Sequence, residues 1–274
     1  MFYLILAAVI WGSSFPIITY ALRDVSPILF FVLRVALAFL LLLPRYHKRD
    51  RLRTLFRPDL ILVSIPNTLA FVLQYKAQEL TTASKTALFI NSSPVWVAIF
   101  SSLLLGHRFT VRQVAAMTVA LAGVVVTSTQ LDFASLSVIN FGDVLCLGVG
   151  ISWAFFIIYS RGLVEKYGAY NVSQALYFWA AVMTLPLLGF EDLRFAWSAV
   201  PSLLYLVVFT TILAFYLYLK GIQSVSPLST SIIILVEIVV AFLISHFALG
   251  ESFTAIETAG VVMVLIGVVM VLKK

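Results

Sequence analysis

Apolar residues run through this chain in long uninterrupted blocks, and polar or charged residues gather at the joins. Ten blocks can be delimited, at 2–22, 27–44, 59–77, 82–105, 111–129, 141–161, 171–189, 198–219, 228–249 and 256–272. Each has about the length that crosses ~30 Å of hydrocarbon at ~1.5 Å rise per residue. The strict alternation of a membrane β-barrel is absent; Leu, Ile, Val and Phe follow one another without a break. The pattern predicts an all-α membrane protein with ten transmembrane helices.

A longer regularity overlies this one. Leu105-Gly106-His107-Arg108-Phe109-Thr110 recurs 144 residues on as Leu249-Gly250-Glu251-Ser252-Phe253-Thr254. The match extends upstream, where Ala70-Phe71, Lys76 and Thr86 meet Ala214-Phe215, Lys220 and Thr230. Downstream, Ala115 and Gly123-Val124-Val125 meet Ala259 and Gly267-Val268-Val269. The first two helices of each copy align at a spacing of 142, with Trp11 opposite Trp153 and Pro44 opposite Pro186. Each copy therefore holds five helices, over 1–130 and 131–274. Five is odd, so the second copy enters the membrane from the other side. Two five-helix inverted repeats are a common way to build a transporter.

Composition supports lipid as the solvent. Apolar residues make up 62% of the chain and charged residues 11%, against about 25% charged in an ordinary soluble domain. The net charge of +6 is concentrated between Arg45 and Arg57, which fits membrane orientation and not nucleic acid. With the N-terminus in the cytoplasm, thirteen of the eighteen Lys and Arg fall on cytoplasmic connections. The positive-inside bias thus places both termini in the cytoplasm of a multi-pass cell membrane protein. The first segment is too long for a signal-peptide core and reads as a retained helix. Cys146 is the sole cysteine, so neither an intrachain disulfide nor a thiolate ligand set is available.

Few residues inside these helices carry chemistry. Glu237 sits about ten residues into the ninth segment, where a carboxylate is costly to bury and marks a functional site by default. It is a candidate to take up a proton or to bind a substrate amine; the alternative is a protonated or Arg-paired residue joining two helices. Arg34, seven residues into the second segment, can snorkel, pair with an acid in a structural role, or meet a substrate carboxylate. Asn91-Ser92-Ser93 precede Pro94, which disrupts a backbone hydrogen bond that nearby polar groups can satisfy. The repeat sets Ser93 opposite Glu237. Aromatic faces beside amides and hydroxyls suit a mostly neutral, amphipathic solute. The candidate substrate contacts are Trp11, Ser14, Gln74, Tyr75, Asn91, Ser93, Trp153, Tyr159, Thr211 and Tyr216. Ala115, Ala116, Ala120 and Gly123, with Ala259, Gly260 and Gly267, are small residues that predict close packing of the fifth and tenth helices.

Several features together resemble the drug/metabolite transporter superfamily, specifically its ten-helix EamA-type members. They are Trp11-Gly12-Ser13-Ser14-Phe15, Arg34, Pro94-Val95 followed by Leu105-Gly106-His107, and Glu237-Ile238-Val239 followed by Leu249-Gly250-Glu251. The resemblance covers essentially the whole chain. His107 departs from the family's usual Glu, and Ile238 from its usual Pro. Pro94 is accordingly expected to kink the fourth helix and to leave the ninth straighter. The resemblance implies export or exchange of small metabolites, often amino acids or related compounds.

The sequence thus predicts a secondary transporter working by alternating access. Its central cavity would be formed mainly by helices 1, 3, 4, 6, 8 and 9, with Gly12, Pro16, Pro66, Pro94 and Gly150 as bending points. A monomer in the bilayer is expected, with a small-molecule substrate, protons as the candidate coupling ion, no cofactor, no metal and no nucleic acid. No Gly-x-x-x-x-Gly-Lys loop is present for ATP, and no zinc, nucleophile-elbow or paired-acid motif for an enzyme. The alternative is a passive channel or facilitator for a small solute.

Overall fold

The computed structural model of the chain describes residues 1–43, 49–81, 83–136, 139–249 and 254–272. Pro44, Arg45, Gly250, Glu251, Ser252 and Phe253, named above, lie outside the described residues, as do Lys48, Lys273 and Lys274 among the basic residues counted for orientation. The described chain is helical nearly throughout. Among the described residues, nine helices are long and apolar enough to cross a membrane: Phe2–Ala21, Pro58–Leu80, Lys85–Leu105, Val111–Thr129, Phe141–Tyr167, Ala169–Phe190, Trp197–Ser224, Pro227–Ile244 and Ala255–Leu272. Pro27–Leu42 is a shorter apolar helix of the same series. These are spans 1 to 10 in chain order, Pro27–Leu42 being span 2. Their bounds follow the apolar blocks to within a few residues, the largest extension being the C-terminal end of span 6 to Tyr167.

Successive spans run antiparallel, and their ends meet in two layers. At one end, the Val25 and Phe195 backbones form an isolated bridge. The Glu191 carboxylate there accepts from the N–H groups of Ile28 and Leu29 at 3.0 and 3.2 Å. That carboxylate caps the exposed positive end of span 2 from the far side of the chain. Lys76 closes the arrangement with a 3.0 Å ion pair to Glu191. Lys85 and Asp143 form a buried pair at 2.9 Å in the same layer. At the other end, Lys166 meets Asp59 at 2.8 Å, and the Arg112 guanidinium donates to the Met270 carbonyl at 2.6 Å.

The repeated motif turns out to be punctuation. Gly106 ends span 4 in the left-handed region at φ 62°, a conformation glycine adopts without penalty. The N–H groups of Gly106 and His107 then close on Ser102 and Ser101 at 3.1 Å each. Thr110 starts span 5, its side chain accepting from Gln113 N–H in a reciprocal capping box. Thr254 and Glu257 make the same box at the start of span 10, with bonds of 3.2 and 2.9 Å. Shared residues therefore mark where helices stop and start.

Among the described residues, four spans are interrupted. Span 1 turns at Ser13, and span 4 turns at Asn91-Ser92 just before Pro94. Span 8 carries a π-helical stretch, Leu206–Leu213. Span 9 also breaks, at Leu235, where the expectation from Ile238 was a straighter helix. Leu235 N–H bonds back only three residues, to Ile232 at 3.2 Å. Packing accounts for this break without proline. A Cβ on Gly12 would lie 2.6 Å from the Glu237 carbonyl oxygen, so span 1 presses on span 9 at this turn. Spans 3 and 6 stay helical through Pro66 and Gly150.

Spans 5 and 10 pack closely along their small residues, as the sequence predicted. A Cβ on Gly123 would sit 2.6 Å from the Gly260 carbonyl, and one on Gly267 would sit 2.7 Å from the Ala116 carbonyl. Gly260 itself faces Thr127 and the Gly123 carbonyl. Gly260→Ala should therefore overpack the interface and cost about 1–3 kcal/mol. It should lower the melting temperature of the detergent-purified protein. Gly162→Ala is the control, because nothing lies within 4 Å of its added Cβ; it should be neutral or slightly stabilising. Equal melting temperatures for the two variants would contradict this packing.

Candidate functional site

A narrow cavity of about 80 Å³ lies at mid-span, where the interrupted helices converge. It draws walls from spans 1, 3, 4, 6, 8 and 9, and adds Arg34 from span 2. Of the predicted contacts, Trp11, Ser14, Gln74, Tyr75, Asn91, Ser93 and Trp153 all line it, together with Arg34 and Glu237. The turn at Ser13 puts Trp11 and Ser14 on the cavity side of span 1. The turn at Asn91-Ser92 does the same for Asn91 and Ser93.

Arg34 is 3% exposed. Its Nε donates to Thr211 Oγ1 at 2.5 Å, Nη2 to Thr210 Oγ1 at 2.9 Å and Nη1 to the Tyr75 hydroxyl at 3.3 Å. Phe71 lies beneath the guanidinium, its ring centroid 5.6 Å from Cζ. No carboxylate is within ion-pair distance of Arg34 among the described residues. The π-helical stretch of span 8 supplies this seat. It turns Thr210 and Thr211 to Arg34 and offers their carbonyls outward. Trp11 Nε1 donates to the Thr210 carbonyl at 2.9 Å, and the Tyr177 hydroxyl to the Thr211 carbonyl at 2.6 Å.

Glu237 lies in the first turn of the second half of span 9, the end of a helix that favours negative charge. Among the described residues, neither a hydrogen bond nor an ion pair engages its carboxyl group. The Gln74 amide and the Ser93 hydroxyl likewise lack a protein hydrogen-bond partner there. Three polar groups thus face the cavity with bonding capacity unused. Aromatic rings form the opposite wall and continue toward the end of the molecule that holds Met1. Trp11 contacts Trp153 at 6.1 Å between centroids, and Phe215 and Tyr218 at 5.2 Å each. Phe156 stacks on Tyr218 at 5.9 Å. On the other side, a crevice of about 420 Å³ shares Phe15, Ile90 and Asn91 with the cavity and reaches Arg23, Gln78 and Glu79 at the span ends.

Three predicted contacts lie elsewhere. Tyr159 is 50% exposed and stacks on Phe155 along the outer surface of span 6. Thr211 is buried behind Arg34 and holds it from the far side. Tyr216 lines a separate crevice with Lys220, whose Nζ is 4.9 Å from its ring centroid. Apolar wall residues were not singled out from the sequence: Phe15, Ile18, Phe71, Ile234 and Leu235. Helical spacing from the polar anchors reaches them. Phe15 and Ile18 share a face with Trp11 and Ser14, and Phe71 with Gln74 and Tyr75.

The sequence profile of the EamA-like transporter family matches residues 1–129 and 140–273. An uncharacterized transporter of Archaeoglobus fulgidus is 28% identical, over 92% of this chain and 91% of its own length. The uncharacterized transporter YvbV of Bacillus subtilis is 28% identical, over 97% of this chain and 89% of its own. The uncharacterized inner membrane transporter YedA of Escherichia coli K12 is 27% identical, over 96% and 87%. A solved crystal structure superposes with a TM-score of 0.81 at 17% identity, covering 97% of this chain and 94% of that one, and shows a shared fold. With both profile matches together spanning nearly the whole chain, this multi-pass membrane protein belongs to the EamA-like transporter family.

Proposed function

We propose that the protein is a secondary transporter that exports or exchanges small amphipathic metabolites of the amino-acid type across the cytoplasmic membrane. One observation carries the reading: a buried guanidinium and an unpaired carboxyl group line the same mid-membrane cavity. Arg34 takes the solute's carboxylate, having two of its five N–H hydrogens free of protein partners. Glu237 takes its amine. The apolar part of the solute lies against Trp11, Phe71 and Trp153. A proton and an amine then compete for Glu237, so each departing solute is replaced by a proton. That competition is an exchange mechanism.

The reading is supported by the shape of the cavity. About 80 Å³ is far below the ~300 Å³ at which ligand pockets begin. Loading therefore requires the walls to part, which is the behaviour of a carrier. A buried cluster of Trp11, Phe156, Phe215 and Tyr218 blocks the route toward the Met1 end. A continuous polar pore, the mark of a channel, does not run through it.

The inverted repeat is part of the same proposal. Gly123 faces the Gly260 carbonyl and Val264 N, while Gly267 faces the Ala116 carbonyl and Ala120 N. A shift of 144 converts the first set of contacts into the second, as a twofold axis between spans 5 and 10 would require. The breaks at Asn91 and Leu235 are related by the same shift. Halves 1–130 and 131–274 then alternate access by rocking about this axis, with both termini in the cytoplasm.

Proteoliposome uptake across a panel of amino acids and other small solutes tests the reading. Vesicles acid inside should accumulate an amino-acid solute, and Glu237→Gln should abolish the dependence on the pH gradient. Uptake independent of the gradient and unchanged in Glu237→Gln would remove proton exchange through this residue. Uptake of no solute would remove the proposal. Orientation has its own test, in a Cys146→Ser background. A membrane-impermeant maleimide should label Asp132→Cys in intact cells and leave Glu165→Cys unlabelled until the membrane is opened; the reverse pattern would invert the topology.

A further inference from the structure

Lys220 stands near the end of span 8, where the sequence repeat sets it opposite Lys76 in span 3. The repeat also sets the start of span 7 opposite the start of span 2. At the spacing of 142, Gly168 matches Ser26 and Asn171 matches Leu29. Ser26 and Gly168 are the N-caps of these two helices. In both places the lysine and the helix start come together. Lys76 reaches the first turn of span 2 through Glu191. Lys220 and residues 168–171 line one crevice of about 540 Å³, at the end of the molecule that holds Met1.

The two places differ in their anions. The Glu191 carboxylate lies between Lys76 and span 2, 3.0 Å from Nζ and 3.0 and 3.2 Å from the N–H groups of Ile28 and Leu29. Glu79 brings a second carboxylate to within 3.2 Å of Lys76. Neither acid recurs in the sequence of the other copy. Glu79 matches Gln223, which lines the crevice without charge. Glu191 matches His47 or Arg49, at spacings of 144 and 142. Among the described residues, no carboxylate is within ion-pair distance of Lys220. Its Nζ lies over the rings of Tyr216 and Tyr3, at 4.9 and 5.8 Å from their centroids. No side chain caps span 7, since Gly168 has none. A lysine and the positive end of a helix therefore share a crevice, while the residues they match hold a carboxylate. The space far exceeds a carboxylate and falls in the range of small-molecule sites. Tyr167, Tyr170 and Tyr216 line it, and tyrosine favours the headgroup level of a membrane.

We propose that this crevice binds the headgroup of an anionic phospholipid, its phosphate held between Lys220 and the start of span 7. The phosphodiester charge takes the place that Glu191 fills between Lys76 and span 2. Lipid thereby ties span 7 to span 8, as a protein carboxylate ties span 2 to span 3.

The full-length protein, stripped of lipid in a neutral detergent and free of transported solute, is the test object, so the outcome does not depend on the transport reading. Its thermal midpoint is followed on titration with phosphatidylglycerol, with zwitterionic phosphatidylcholine and with inorganic phosphate. The midpoint should rise with the logarithm of the phosphatidylglycerol fraction, as for any ligand that binds only the folded state. It should rise less with phosphatidylcholine and stay level with inorganic phosphate. Lys220→Met should weaken the apparent affinity for phosphatidylglycerol roughly tenfold or more, the loss of one charge-assisted contact. Gln223→Glu gives Lys220 the carboxylate that Glu79 gives Lys76 and should also weaken the lipid, which keeps the test decisive if the Met variant fails to fold. Lys166→Met removes a charge at the same end that Asp59 already pairs, and should leave the lipid response unchanged. Inorganic phosphate raising the midpoint as much as the lipid would overturn the lipid assignment in favour of a soluble anion. A wild-type midpoint that does not distinguish the two lipids, or equal losses in the Lys220 and Lys166 variants, would overturn the site itself.

Discussion

A positive charge buried at mid-membrane depth is the constraint around which the rest is arranged. In hydrocarbon, every polar group must find its partner inside the protein. Arg34 finds hydroxyls on Thr210, Thr211 and Tyr75, and the face of Phe71, but no carboxylate within ion-pair distance among the described residues. Those partners come from two spans, span 3 in the first half of the chain and span 8 in the second. Span 8 must leave regular α-helical geometry to offer two adjacent threonines to one guanidinium. Span 2 must be held at its correct depth, and Glu191 does this by capping its first turn from the end of span 7. The clasp at one membrane face and the charge at mid-depth belong to one device.

The interruptions of the spans follow a related logic. A straight helix uses all its interior backbone bonds and presents few polar groups to a cavity. The turns at Ser13, Asn91-Ser92 and Leu235 place Ser14, Ser93 and Glu237 at fresh helix starts around a common space. Ser93 and Glu237 occupy matching positions in the duplicated chain but differ in charge. The lining therefore differs at positions that the sequence repeat matches. A carboxyl on one side and a hydroxyl on the other give the proposed transport cavity two unlike ends.

Much of this was legible in the chain. The ten spans followed from block length, because lipid imposes a minimum number of apolar residues. The packing of spans 5 and 10 followed from their small residues, because only these let backbones approach to the distances seen at Gly123 and Gly260. Nine of the twelve candidate residues meet in one cavity, since polar groups at mid-depth have few other places to go. The exceptions are instructive. Tyr159 points outward because its helical phase, which one residue cannot reveal, differs from that of Trp153. Thr211 serves Arg34 from behind because a π-helical stretch shifts the phase that a 3.6-residue period would assign. The break in span 9 was missed because proline was taken as its signal, whereas the close approach of Gly12 sets it from another helix.

The central claim is that Arg34 and Glu237 divide one solute between them. The decisive measurement is the affinity of purified protein for an amino acid, its methyl ester and its N-acetyl derivative, in wild type, Arg34→Lys and Glu237→Gln. The wild type should prefer the free amino acid over both derivatives. Losing one charge-assisted contact of about 1.5–3 kcal/mol corresponds to roughly ten- to a hundredfold in affinity. Arg34→Lys should erase the preference over the ester alone, because it loses the planar fork that holds a carboxylate. Glu237→Gln should erase the preference over the N-acetyl compound alone. Equal loss of both preferences in either variant, or no preference in the wild type, would contradict the account.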